Sequence, residues 1–459
     1  MKSFERKVFL AVTTSFFISM INAYPLLGID KKQENLFHLP GFMPPAWVHE
    51  GPLYELYVRN FSSEGTFKEV EKKLSYLKET GIKTIWLMPV YPIGEKGKKG
   101  TLGCPYSVRD YFNTNPEYGT LDELKSLINA VHEQDMKIIV DMVANHVSND
   151  YVEMSAHPEM FFRDKHGNFS REVADWTDIT DLDYGKQITR EHMNKVLKFW
   201  IEEIGFDGYR CDVAGMVPLD FWEPAVKELR EINPNIYMLA EWESNKHHVV
   251  AFHSTYDWTL YRLLKEIKAS KKPASDALKW VEEKRGHYPK NALPMRFIEN
   301  HDEERAAKIF GKEGQKPFAA LIFSIYGVPL IYAGQEFGET EKPSLFDKSE
   351  LSWNIQNNQL LSFYKTLITL RKKYPALASR ELIIINNNQP EKVLSYVKND
   401  ERHKILCMIN TSNKKQNLTL TISAYSINGK HLNLLDNSPV IVKQNSVELL
   451  PYQSVFISL

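Results

Sequence analysis

Eight short apolar runs alternate with amphipathic stretches between Leu53 and Gly334, and this alternation constrains the chain more than any other feature. The runs are LYELYV from Leu53, KTIWLMP from Lys83, KIIVDMV from Lys137, DGYRCDV from Asp207, IYMLAEW from Ile236, a weaker one ending near Asp257, MRFIEN from Met295 and VPLIYAG from Val328. Thr66 to Thr80, Thr120 to Gln134, Ile188 to Glu203, Leu219 to Ile232, Pro317 to Ile325 and Leu360 to Lys373 carry apolar residues at three- and four-residue spacing, which is the period of a helix with one buried face. Strands alternating with helices imply a parallel sheet with helical crossovers. Eight such units match a closed (β/α)8 TIM barrel. The rival, an open doubly wound sheet, lacks here the glycine-rich phosphate turn after its first strand.

Two regions break the pattern. Val147 to Tyr184, rich in Asp, His and aromatic residues, reads as an insertion after the third strand. Arg380 to Leu459 switches to short alternating apolar and polar runs, the pattern of an antiparallel β-sandwich domain. The barrel is then expected over 24–379, with the insertion at about 147–184 and the sandwich over 380–459. The Lys- and Gly-rich run from Gly94 to Gly103 is expected to be a flexible loop.

At the start, Lys2, Arg6 and Lys7 precede the mostly apolar Val8 to Met20, and Ala23 offers a small residue for cleavage. Residues 1–23 therefore read as a signal peptide, with the mature protein exported to the periplasm or secreted. The apolar run is shorter than the roughly 20 residues that span a bilayer, so no stable membrane insertion is expected after cleavage. With 459 residues, 43% of them hydrophobic, the chain can bury a large core. A formal net charge of -1 gives no field favouring nucleic acid or an anionic surface and fits a neutral partner such as a sugar. Cys104, Cys211 and Cys407 have neither zinc-site nor disulfide-framework spacing and read as free thiols.

In a barrel of this kind the reactive groups stand at the C-terminal ends of strands. Four segments end that way: DMVANH (Asp141 to His146), GFDGYRCDVA (Gly205 to Ala214), LAEW (Leu239 to Trp242) and FIENHD (Phe297 to Asp302). A single strand-end Asp can be a helix cap and a lone His a hydrogen-bonded structural residue. Three carboxylates, an Arg and two His at strands three, four, five and seven of one count are hard to explain as capping. Strand alternation puts Arg210 and Asp212 on one side, in the barrel mouth, where the guanidinium favours a carboxylate ready to attack. Glu241, followed by Trp242, is expected in a less polar setting that keeps a proton available for a leaving group. Two carboxyl groups in opposed environments are the pattern of glycoside cleavage.

In this order and at these residues the four segments resemble the α-amylase family of glycoside hydrolases, from about Leu53 to the end of the chain. The resemblance implies Asp212 as nucleophile, Glu241 as general acid/base and Asp302 as the third carboxylate, which binds sugar hydroxyls and stabilises the transition state. It implies sugar binding by His146 and His301, Arg210 as the arginine beside the nucleophile, and Tyr106, in PYSVRDY, as the tyrosine that stacks on the sugar at the cleavage point. Asp141 and Asn145 match scaffold positions. The implied substrate is an α-1,4-linked glucan such as starch or maltodextrin, cleaved with retention. Trp176, Tyr184, Trp242 and Phe337 are candidate stacking platforms.

One departure concerns subtype. Many α-amylases carry a Lys-His pair shortly after the nucleophile, serving product-side sugars and a calcium site, where this chain has Gly215 and Met216. No cofactor is required by this reading, while calcium stays open through Asn145 with Asp175, Asp178, Asp181 or Asp183. A transglycosylase or sugar isomerase using the same intermediate is the alternative enzyme, and a non-catalytic binding barrel the alternative class. The presence of all three carboxylates speaks against the latter.

Overall fold

The computed structural model describes residues 34–353, 358–422 and 427–459, so the expected signal peptide lies outside the described residues. In chain order the first ten strands are β1 (Leu53–Leu56), β2 (Thr84–Leu87), β3 (Lys137–Met142), β4 (His146–Ser148), β5 (Ile179–Asp181), β6 (Gly208–Cys211), β7 (Tyr237–Ala240), β8 (Ser254–Thr255), β9 (Met295–Arg296) and β10 (Val328–Tyr332). All but β4 and β5 form one parallel sheet in the order β8-β7-β6-β3-β2-β1-β10-β9. A parallel bridge from Tyr256 to Met295 joins its outer strands and closes the barrel.

The strands are apolar on both faces because alternate side chains enter the barrel or meet the helices outside it. Leu53, Trp86, Ile139, Leu239 and Leu330 cluster inside. Tyr54, Ile85, Ile138, Val140 and Met238 belong to the larger core under the helices. This parity sends Glu55, Asp141, Arg210, Asp212 and Glu241 to the interior side at the C-terminal ends of their strands.

Local chemistry sets the helix ends. Leu121–Glu133 begins at a capping box in which Thr120 Oγ1 accepts from the Glu123 N–H and Glu123 Oε2 accepts from the Thr120 N–H. The single helix expected over Thr66 to Thr80 is two, Phe67–Glu71 and Leu74–Thr80, the second ending at Gly81 with φ 94°. Between β8 and β9 lie two helices not anticipated from periodicity, Trp258–Lys268 and Ser275–His287.

The insertion leaves and returns side by side, since β4 pairs antiparallel with β5. Gly94 to Gly103, expected to be flexible, is instead held on both sides. Asn149 Nδ2 donates to Lys96 O and Lys99 pairs with Asp178 at one flank, and Leu102 N–H donates to Phe346 O at the other. At the C-terminal end, β11 (Leu382–Ile384), β12 (Asn386–Asn387), β13 (Val393–Asn399), β14 (Lys404–Asn410), β15 (Gln416–Thr421), β16 (Gly429–Leu432), β17 (Pro439–Val442), β18 (Ser446–Leu449) and β19 (Ser454–Ser458) are antiparallel. The sheets β11-β13-β14-β19 and β12-β15-β18 face each other across Val397, Leu406, Leu418 and Leu449, the expected sandwich.

Candidate active site

Register assembles the site. Asp141 pairs with Arg210 between β3 and β6, and Cys211 pairs with Ala240 between β6 and β7. Asp212 and Glu241 therefore follow their strands side by side, and the Glu241 N–H donates to Cys211 O at 2.9 Å. The fully buried Arg210 ties three carboxylates together. Its Nη1 donates to Asp141 Oδ1 at 2.8 Å and to Asp212 Oδ1 at 2.9 Å, and Nη2 lies 3.0 Å from Glu241 Oε2. Arg210 Nε donates to Tyr256 O–H at 3.1 Å, and the guanidinium lies 5.2 Å from the centre of the Trp86 ring. A planar fork with fixed donors imposes one geometry on all its partners.

The carboxyl groups end in different situations. Asp212 Oδ1 is held by Arg210, while Oδ2 lies 4.0 Å from His146 Nε2. Glu241 Oε2 takes both the Arg210 charge and the Val213 N–H, at 2.8 Å, which leaves buried Oε1 without a hydrogen-bond partner among the described residues. Burial pushes the Glu241 carboxyl up to about 8, with Arg210 opposing and the charges of Asp212 and Asp302 adding to the rise. Glu241 thus keeps a proton at neutral pH, and Oε1 is the oxygen free to carry it. The Val213 N–H reaches Glu241 from a left-handed backbone, φ 36° and ψ 45°, unusual for a β-branched residue and found where surrounding structure imposes it.

A second group forms at strands one, two and seven. His301 Nδ1 contacts Glu55 Oε1, and its Nε2 lies 2.7 Å from the Tyr106 hydroxyl and 3.3 Å from Asp302 Oδ2. The Tyr106 hydroxyl donates to Asp141 Oδ2 at 3.1 Å, linking the two groups. Burial alone would lower the His301 imidazole, but Asp302 and Glu55 carry it up to about 9, so that both ring nitrogens donate at neutral pH.

Tyr106, His146, Asp212, His301 and Asp302 line one pocket, joined by Trp176, Lys99, Asp178, Leu345 and Phe346. Val213 lines this pocket too, whereas Glu241 does not and meets it through the Val213 N–H, from which its Oε2 accepts. Of the four aromatics considered as platforms, Trp176 reaches this pocket, its ring 5.2 Å from that of His146. Tyr184 and Phe337 do not: both are buried, Tyr184 donating to Ala144 O and Phe337 packing on Trp353. Trp242 covers Gly215, where a Cβ would come within 2.1 Å of the indole. With Trp242 in this place, position 215 has no room for a lysine side chain.

Some of the oxygens considered for calcium are engaged elsewhere, while buried Asp178 Oδ2 has no hydrogen-bond partner among the described residues. Asp178 Oδ1 pairs with the Lys99 ammonium at 2.9 Å, Asn145 Nδ2 points toward Asp181 Oδ1, and Asp183 Oδ1 accepts from the Gly185 N–H. Among the described residues no three His, Cys, Asp or Glu side chains converge on a metal position.

Glu55, Tyr256, Val213 and Lys99 join the site without having been singled out from the sequence. Glu55 alone left a signal, a carboxylate in the middle of the apolar run LYELYV.

The family model described as alpha amylase, catalytic domain, matches residues 49–164 and 159–356. Alpha-amylase 2 of Dictyoglomus thermophilum is 24% identical over 92% of this chain and 78% of its own length. Among solved structures, the noncanonic maltogenic alpha-amylase AmyB of Thermotoga neapolitana superposes with a TM-score of 0.83 at 33% identity, covering 90% of this chain and 99% of that one. An alpha-amylase from Lactobacillus plantarum gives 0.82 at 30% identity, over 90% and 99%.

Proposed function

This chain belongs to the α-amylase family of glycoside hydrolases, and from that premise we propose that it hydrolyses α-1,4-glucosidic bonds of maltodextrins and related glucans with retention of configuration. One observation carries the reading: a single guanidinium holds Asp212 by one oxygen and Glu241 by one oxygen, leaving each carboxyl group its other oxygen for chemistry. Asp212 Oδ2 attacks C1 of the sugar seated on Tyr106 and His301. Glu241 Oε1 gives its proton to the departing glycosidic oxygen, and the emptied carboxylate later takes a proton from the water that releases the sugar. Asp302 and the His301 imidazolium hold ring hydroxyls, and His146 stands beside the attacking oxygen. The adjacency of β6 and β7, strands ~4.8 Å apart, supports the short carboxyl separation of about 5–5.5 Å that retaining enzymes use.

Proton NMR of fresh products from maltoheptaose is expected to show the α-anomeric signal first, before mutarotation. Early β-anomer would overturn the retaining mechanism, and products longer than the substrate would assign the chain to sugar transfer. Because an ammonium neutralises Asp178, activity and melting temperature are expected to be unchanged after EDTA treatment. A loss restored by calcium would contradict this. The charged-then-apolar start supports export, so N-terminal sequencing from the native host is expected to begin near Tyr24. Recovery of Met1 in cytoplasmic protein would remove that reading. Among the described residues no helix is long and apolar enough to cross a membrane.

A further inference from the structure

We propose that the pocket is blind at its donor end, so that this enzyme cleaves from free non-reducing ends and does not cut within a chain; the inference rests on the retaining reading of Asp212 and Glu241. The direction of the substrate follows from the barrel order. C1 of the seated sugar faces Glu241 on β7, where the leaving group departs, and because C1 and C4 lie at opposite ends of a pyranose, the 4-hydroxyl points across the barrel. In the ring β8-β7-β6-β3-β2-β1-β10-β9, the strand opposite β7 is β1, flanked by β2 and β10. The wall stands there.

It is built by the loops after β2 and β10, which meet over β1. Leu102 N–H donates to Phe346 O at 2.9 Å, and Thr101 donates through its N–H and its hydroxyl to Asp347 Oδ1 at 2.8 and 2.7 Å. Arg59, three residues beyond the end of β1 and fully buried, fastens the seam from below: Nη1 donates to Gly103 O at 3.0 Å and to Leu345 O at 3.1 Å, and Nη2 to Leu102 O at 3.2 Å. Glu117 holds that guanidinium in place at 2.9 Å. At Gly100, φ 63°, a Cβ would come within 2.5 Å of Phe346 Cβ, so the loops touch without space between them. The other flank is closed by the Lys99–Asp178 pair, with Asp178 buried.

A glucan passing through a cleft needs room beyond the 4-hydroxyl of the seated sugar. Here that direction meets Phe346, Leu345 and the ion pair, all of which line the pocket. Apolar faces and a fixed charge pair fit the end of a glucose chain, a hydroxyl in place of a further sugar. The loops after β6 and β7, on the leaving-group side, make none of the contacts of this seam.

The test compares p-nitrophenyl maltoheptaoside with the same compound carrying a 4,6-benzylidene block on its non-reducing end, under otherwise identical conditions. The unblocked compound is expected to be cleaved, and the blocked one at least 100-fold more slowly. Equal rates would overturn the blind end while leaving the retaining reading intact; failure on both would overturn both. A variant with residues 96–101 replaced by two glycines is expected to gain cleavage of the blocked compound, a gain that misfolding cannot mimic. A folded variant that cleaves the unblocked compound and still rejects the blocked one would overturn the assignment of the wall.

Discussion

Asp212→Asn is expected to leave a folded protein whose turnover on maltoheptaose falls by about 10⁴-fold or more, the scale seen when a covalent nucleophile is removed. The change is close to isosteric, and the amide oxygen can still accept from Arg210 Nη1. Arg210 also keeps Asp141 Oδ1 at 2.8 Å and Glu241 Oε2 at 3.0 Å, so the guanidinium is not left without partners. Thermal melting and steady-state kinetics together decide the matter. A melt that collapses would make Asp212 a structural residue, and turnover within tenfold of the parent would place the nucleophile elsewhere. Trapping with a fluorinated glycosyl donor is expected to label Asp212 in the parent and nothing in the variant.

Glu241→Gln is expected to lose about 10²–10⁴-fold on maltoheptaose, the usual contribution of a positioned general acid. On α-glucosyl fluoride with azide added, neither a proton for the leaving group nor a base for the incoming nucleophile is needed, and the loss should shrink to within tenfold. Equal losses would mean that Glu241 acts in binding or folding. The same residue sets a pH limit. Burial raises its carboxyl to about 8, so the proton is held below that pH and lost above it. Parent kcat/KM is expected to be halved near pH 8 and to fall tenfold per further pH unit. The Gln variant on glucosyl fluoride should show no such alkaline limb.

Much of the barrel was legible because its strands are short apolar runs that end in polar residues, and both properties survive in a single sequence. β8 was the weakest to read, since Ser254 and Thr255 carry no apolar pattern; the helix that follows does carry helical spacing, in Trp258, Leu260, Tyr261, Leu264 and Ile267, and a cap in Asp257, whose carboxylate accepts from the Leu260 N–H, and it went unmarked beside so short a strand. The division at Lys72 and Lys73 escaped notice because both short helices share one apolar face. In the site, Arg210 and Asp212 could be placed on one side from alternation alone. Nothing in the sequence ordered Val213 into a left-handed turn aimed at Glu241, because that conformation is imposed by neighbours and contradicts the residue's own preference. The donor-side wall was hidden for a related reason. A run of Lys and Gly reads as a free tether, and only the distant partners Arg59, Phe346 and Asp178 turn it into a surface with a fixed shape.

The packing of Trp242 on Gly215 also orders the routes by which this sequence could have diverged from its relatives. A side chain at 215 collides with the indole while Trp242 is present, so a lysine there is harmful until residue 242 has become small. The reverse order passes through lost packing at a half-buried side chain, without a collision. Gly215→Lys and Trp242→Ala are therefore expected to be strongly non-additive, the pair retaining more activity than Gly215→Lys alone. The two positions would then act as one packing unit, and exchanging either without the other would disturb the wall beside the nucleophile strand.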